Sequence, residues 1–540
     1  MTDTKVQQAN LLHDEKITMK SEPKTEAVKN ESIWAATAKM PTYPSLMEDT
    51  EADVCIVGAG IAGLTTAYLL TQAGKSVVIL DDGPLAGGAT EVTTAHLSNA
   101  LENRYFLIER LHGQEGSRLA AESHTAAINR IEAIVKKEQI DCDFERLDGY
   151  LFLGPGEKDE LLDRELAAAH RAGLNEVEKI IQAPPLQSFV TGPCLRFPNQ
   201  GQFHPLKYLA ALAKAIERNG GKLFTNSHVE QITGGPQARI KVGSHVVTAS
   251  AVVVATNTPI NDFLVIHTKQ SAYMTYVIGA KVPRGSIAKA LYWDTLNPYH
   301  YIRLQEMNNV GTIENDQRKY DLLIVGGEDH KTGQAEDTQE RHARLEAWAR
   351  EHFPMMEQVE FTWSGQCMVT LDGIAFIGRN PLDKDNVFVV TGDCGVGMTH
   401  GTIAGILLTD LIRGDENPWA TLYDPSRKTL LAAPGFAQKV INMVDQYADW
   451  ATGGDVNSVD DIDNDSGAVL REGLTKVAVY RDENGELHKS SAVCPHLGCI
   501  VVWNPTEKTW DCPCHGSRFD KFGKFINGPA NKQLSPISGK

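Results

Sequence analysis

The clearest pattern of apolar and polar positions runs from Asp53 to Asp82, DVCIVGAGIAGLTTAYLLTQAGKSVVILDD. An apolar run meets three glycines, a helix-like stretch follows, and a second apolar run ends in two acids. Short apolar runs bounded by turn residues read as buried strands. A strand ending at Val57, with Gly58, Gly60 and Gly63 in the turn that opens a helix over Leu64–Gln72, predicts a unit whose backbone amides can approach a pyrophosphate. Asp81, at the tip of the next strand, is placed to accept hydrogen bonds from a ribose. The glycine spacing alone is a weak signal, but here the flanking strand, helix and acid stand where dinucleotide binding needs them.

Further on, the glycine- and threonine-rich stretch after Asp82 predicts a loop returning beneath the dinucleotide. Apolar spacing predicts helices from Arg104 to Lys137 and from Glu157 to Ala172, then a helix over Pro205–Asn219 stopped by Gly-Gly. Strands are expected through Phe224 and Val229 and over Val246–Thr256, and again at Tyr273–Ile278, Tyr299–Leu304 and Leu322–Gly326. The last three suggest a mostly antiparallel sheet inserted between pieces of the dinucleotide region, where a substrate would lie. The chain returns through Gly373–Gly378 and Val387–Gly392 to a glycine turn entering a helix near Gly397. Residues 427–450 read as an amphipathic connecting helix before an acidic linker, and the remainder as short strands between Asn-Gly, Gly-Lys and Gly-Pro turns.

The expected architecture is therefore an α/β Rossmann-like domain with an inserted, mainly antiparallel α+β substrate domain and a C-terminal all-β domain. Its segments are a disordered lead over 1–50; the dinucleotide domain over 51–98, 200–262 and 364–426; the substrate domain over 99–199 and 263–363; a connecting helix and linker over 427–454; and the final domain over 455–540. A length of 540 residues accommodates this, and a net charge of −17 argues against nucleic-acid partners and anionic membrane surfaces. No apolar stretch predicts a transmembrane span, and residues 1–50 do not resemble a secretory signal, so the cytoplasm is the expected compartment. Oligomeric state leaves no trace in the sequence.

Of the nine cysteines, four fall between Cys494 and Cys514. CPHLGC at Cys494–Cys499 and CPCHGS at Cys512–Ser517 supply the pairs Cys494/His496 and Cys512/His515, separated by 15 residues. Two thiolates and two imidazoles in that order suit a Rieske 2Fe-2S cluster, one iron taking both sulfurs and the other both histidines. A structural zinc also uses two Cys and two His, but usually pairs like with like.

Residues 51 to about 415 resemble the FAD-dependent oxidoreductases of the glycine oxidase, sarcosine oxidase and D-amino-acid oxidase family. The matching stretches are DVCIVGAGIAGLTTAYLL, PLKYLAALAKAIERNGGKL ending in Val229, VVVATN, LDGIAFIGR and VTGDCGVGMTHGT. The resemblance implies FAD, with Val229 against the adenine and the helix near Gly397 aimed at the flavin, so that Gly395, Gly397, Met398 and Thr399 join the cofactor site. A helix N-terminus there suits the negative charge of a reduced flavin. Cys367 stands where some sarcosine oxidases carry a flavin-linked cysteine, although a buried packing cysteine has the same look. Arg303, beside Tyr299 and Tyr301, is a candidate anchor for a substrate carboxylate, and His96 and His400 are candidates to take a proton.

The last 70 or so residues resemble the Rieske subunits of cytochrome bc complexes. That resemblance implies a disulfide between Cys499 and Cys514, an uncommon bond in the cytoplasm that burial against the cluster is expected to protect. It also implies a Ser517 hydroxyl donating to a bridging sulfide. Phe519 occupies the position of a tyrosine that bonds a ligand sulfur in high-potential clusters, so a lower midpoint is expected.

A flavin accepts two electrons and a 2Fe-2S cluster passes one at a time. Their union predicts an enzyme that oxidises a small amine or amino acid with FAD and hands electrons singly through the cluster to an external one-electron acceptor. A flavin and Rieske relay without its own amine substrate is the alternative. A Rieske oxygenase would need a mononuclear iron held by closely spaced histidines, and no two histidines here are four or five residues apart.

Overall fold

The computed structural model describes residues 30–184, 189–261, 265–307, 320–428, 437, 442, 446–450 and 453–537. Thr50–Val57 lies at the centre of a mainly parallel sheet, paired with Val77–Leu80 on one side and His245–Val254 on the other. Lys222–Phe224 and Val387–Thr391 extend it in parallel, and Phe376–Arg379 closes one edge antiparallel. Helices cover this sheet, so residues such as Val252, Val253 and Val254 are buried throughout and the strands read as unbroken apolar runs. The helix Ile61–Gln72 follows the first strand and packs on Gly397–Arg413 and Pro205–Arg218.

A second sheet runs in the order Val359–Thr370, Gln270–Pro283, Tyr320–Lys331, Tyr301–Glu306, Leu291–Asp294, Glu145–Phe152, Cys194–Gln202 and His96–Leu97. It is antiparallel except where Leu291–Asp294 pairs with Glu145–Phe152. Strand alternation divides its faces. Met274, Tyr276 and Ile278 pack under the helix Thr338–His352, whereas Thr275 and Tyr301 turn toward the dinucleotide region. The sheet is longer than the apolar runs suggested. Val359–Thr370 and Cys194–Gln202 pass through the positions where the sequence put domain junctions.

The lead is not disordered over its described part. Ile33–Thr37 is a helix capped by Ser32, with Ile33 and Trp34 buried and Trp34 Nε1 donating to Thr93 O at 2.6 Å. An aromatic plug has enough apolar area to repay ordering this segment, which its polar surroundings concealed. Residues 1–29, and most of the connecting helix expected over 427–450, lie outside the described residues. The helices expected from Arg104 to Lys137 form one element, Tyr105–Glu138, broken at Gly113, and Glu160–Arg171 is a separate helix within the stretch expected over Glu157–Ala172. Among the described residues no helix is long and apolar enough to cross a membrane.

The C-terminal region consists of two antiparallel sheets. Ser466–Glu472, Thr475–Arg481 and Leu487–Ser491 form one, and Val502–Asn504, Thr509–Asp511, Arg518–Asp520 and Phe525–Asn527 the other. Val469, Tyr480, Trp510, Phe519 and Leu534 fill its core.

Candidate functional site

A cavity of about 600 Å³ runs from the first glycine turn to the second sheet. At the turn, Gly58 has φ of +107° and a Cβ there would lie 2.4 Å from Ala255 O, while a Cβ on Gly63 would lie 1.9 Å from Gly58 O. Only glycine lets strand, turn and helix approach this closely. Asp81 Oδ2 accepts from Ala59 N at 2.6 Å and Oδ1 from Gly83 N at 2.9 Å, so the acid braces the turn while lining the cavity. Burial raises its pKa to about 6. Val229 lines the same end, in a loop rather than at the end of a strand.

Toward the second sheet the wall includes Gly395, Gly397 and Met398 at the start of the helix Gly397–Arg413, whose cap residue Val396 offers no side-chain acceptor. Its first amides are thus available to an anion or partial negative charge. Thr399 is not on that wall. Its hydroxyl bonds His124 Nδ1 at 2.8 Å and Val396 O at 3.0 Å, because its place two residues into the helix turns it to the other face.

Three polar candidates change meaning. Arg303 does not reach the cavity: fully buried, it donates to Thr94 O, Ala95 O, Phe203 O and Gln305 Oε1 and lies 5.1 Å over Trp34. It holds the loop carrying Thr94 and the lead helix together, leaving no fork for a carboxylate. His96 lines the cavity, but its ring nitrogens are taken by Thr94 Oγ1 at 3.1 Å and Ile302 O at 3.3 Å. Burial, with Arg303 nearby, lowers its pKa to about 3 and leaves no free acceptor for a proton. His400 lines the wall with Nδ1 bonded to Asp393 O at 2.8 Å, and burial lowers its pKa to about 4. Cys367 lines the wall too, its thiol pushed well above the ordinary range by burial and by Asp393.

The sequence reading missed Glu102, Asp329 and Asp393, which come from a loop, a strand end and a turn to line the same cavity. Burial raises Glu102 to about 8 and Asp329 and Asp393 to about 6. Asp329 stands out in YDLLIVGGEDHK as an acid at the end of an apolar strand, the one available hint.

The cysteine and histidine ligands come together in two matching loops. Gly498 N returns to Cys494 O and Gly516 N to Cys512 O, each at 3.0 Å. The Cys494 and Cys512 thiols touch, and amides of His496 and Leu497 point at one sulfur and those of Cys514 and His515 at the other. The His496 and His515 rings meet edge to face, their centroids 5.0 Å apart. Two sulfurs together, two imidazoles together and amides around the sulfurs fit a 2Fe-2S cluster held on one edge by each pair. Cys499 and Cys514 are joined by a disulfide with Cα atoms 6.4 Å apart.

The family described as FAD dependent oxidoreductase matches residues 53–411, and that described as Rieske [2Fe-2S] domain matches residues 453–538. The chain belongs to the FAD-dependent oxidoreductases. This oxidoreductase carries FAD and a Rieske cluster. YhfW of Bacillus subtilis (strain 168), by name a Rieske 2Fe-2S iron-sulfur protein, is 34% identical over 94% of this chain and 97% of its own. Gamma-glutamylputrescine oxidoreductase of Escherichia coli (strain K12) is 27% identical over 71% of this chain and 89% of its own. Glycine oxidase from Geobacillus kaustophilus shares the fold, with a TM-score of 0.57 at 20% identity over 70% of this chain and 99% of its own.

In the oxidoreductase the cluster loops rest on the second sheet. Gln366 Nε2 donates to Gly516 O at 2.9 Å, and Gln334 Nε2 to Pro513 O at 3.0 Å. His267 meets both cluster histidines, its ring 5.0 Å from His496 and 6.1 Å from His515. At the other end of the cavity, Asn531 Nδ2 donates to Val229 O and Glu230 O at 3.0 Å, and Phe525–Asn527 and Gly528 form part of the wall.

Proposed function

We propose that this oxidoreductase oxidises a small amine or amino acid and passes the electrons, one at a time, through the Rieske cluster to an external one-electron acceptor. The observation that supports this most is Gln366: it lines the FAD cavity and bonds Gly516 O, adjacent to the ligand His515. FAD supplies the hydride acceptor and the cluster the one-electron outlet. The chain supplies the rest. Gly58 and Gly60 line the cofactor end, Gly63 lets the helix close on the turn, the amides at Gly397 and Met398 favour negative charge at the ring, and Cys494, His496, Cys512 and His515 hold the cluster. The name of the Escherichia coli relative also points toward amine chemistry.

Anaerobic screening of amines and amino acids, with flavin bleaching and the reduced-cluster EPR signal followed together, tests the proposal. A substrate that produces both signals supports it. Bleaching with a cluster that stays oxidised, or no bleaching by any compound tried, defeats it.

A further inference from the structure

The substrate end of the cavity gathers acidic groups. Glu102, Asp329 and Asp393 line it, while among the described residues no lysine or arginine does. The nearest cations are committed elsewhere: Arg104 donates to Asp294 O at 3.0 Å, and Arg341 to Asp337 and to Glu328 O. Asp393 Oδ1 accepts from Met368 N, and the Tyr299 hydroxyl bonds Glu102. The Thr275 hydroxyl bonds the Asp329 carboxylate, yet Asp329 Oδ1 is shut off from solvent and meets no hydrogen-bond donor, although the side chain faces the cavity. A buried acceptor left without a donor costs free energy until something supplies one.

The walls beside these acids are aromatic. Tyr299 and Tyr301 stand with ring centroids 5.3 Å apart, and Trp293 lines the same space. Carboxylates give an ammonium its charge-assisted hydrogen bonds, and ring faces attract the same cation. A substrate carboxylate would instead meet three acids and no cationic partner.

Resting on the function proposed above, we propose that the substrate is a cationic alkylamine, held through an ammonium group by Glu102 and Asp329 against the Tyr299, Tyr301 and Trp293 rings, and not an amino acid held through its carboxylate. Burial raises the pKa of all three acids, the charges of Asp329 and Asp393 raise that of Glu102 further, and a cation beside Glu102 offsets both effects.

The test is equilibrium binding to the FAD-loaded full chain, read anaerobically from the flavin absorbance and by calorimetry, with propylamine, 1,4-diaminobutane, glycine and acetate as probes. The two amines are expected to bind, and glycine and acetate are not. Asp329→Asn and Glu102→Gln, each checked for full FAD content, are expected to weaken amine binding by about tenfold or more. Acetate or glycine binding in place of the amines, or amine binding unchanged in both variants, overturns the inference. If an amino acid without a side-chain amine reduces the flavin and the cluster, the inference fails while the proposed function stands. If amines bind as described but none bleaches the flavin, the ammonium site at Glu102 and Asp329 stands while the proposed function, and with it the assignment of a substrate, fails.

Discussion

Replacing Gln366 by leucine isolates the contact between cluster loop and cavity wall. The glutamine is 5% exposed, and its Nε2 serves Gly516 O at 2.9 Å and Thr332 Oγ1 at 3.0 Å. Leucine keeps the approximate volume and removes both donors. The Thr332 hydroxyl can turn to another partner, whereas the buried Gly516 carbonyl is held by its loop and loses this donor. An orphaned buried acceptor costs about 1 to 3 kcal/mol, which corresponds to a shift of about 5- to 150-fold in the equilibrium between seated and lifted loops. The Gln334–Pro513 and Asn531–Val229 contacts remain, so the domain stays attached and the overall fold persists. Hydrogen exchange should report the change directly: amides over 512–517 should exchange faster by about that factor, with the first parallel sheet unaffected. The rise of the reduced-cluster EPR signal should slow relative to flavin reduction. Unchanged exchange over 512–517 in a correctly folded Gln366→Leu protein would show that this hydrogen bond does not hold the loop on the cavity wall.

Phe519 is fully buried in the C-terminal core, and Phe519→Tyr should raise the cluster midpoint by some tens of millivolts, a fraction of what a full charge-assisted hydrogen bond provides; a redox titration showing no rise refutes that role for the missing hydroxyl. Burial and Asp393 keep Cys367 a neutral thiol, a weak nucleophile, so acid precipitation should release the FAD into solution, and a yellow pellet would contradict this. Arg427 makes a bidentate pair with Asp372 at 2.8 and 2.7 Å and covers the Phe376 ring at 4.0 Å. Arg427→Met leaves Asp372 buried without that partner and should cost about 3 to 5 kcal/mol in urea unfolding, with a loss under 1 kcal/mol refuting the estimate.

The parts most legible in the sequence were those where backbone geometry dictates residue type. Gly58 and Gly63 are required by contacts that tolerate no Cβ, and the CPHLGC and CPCHGS loops need their ligands and glycines at fixed intervals. The substrate end was less legible because topology assembles it. Glu102, Asp329 and Asp393 are far apart in the chain, and nothing local marks an acid whose partners arrive through sheet pairing. Arg303 shows the limit of strand alternation. It shares a face with Tyr301, but two residues further along the strand that face is roofed by the lead helix and by the loop at Thr94. Trp34 escaped notice for the same reason, being a single apolar plug in a polar stretch.

The wall contributed by Phe525–Asn527, Gly528 and Asn531 has a consequence for assembly. The compartment that receives the nucleotide is finished by residues synthesised after all the rest of its lining. The segment made last therefore completes the shape of one prosthetic group's compartment, so that the folding of the region that holds the other group bears on both.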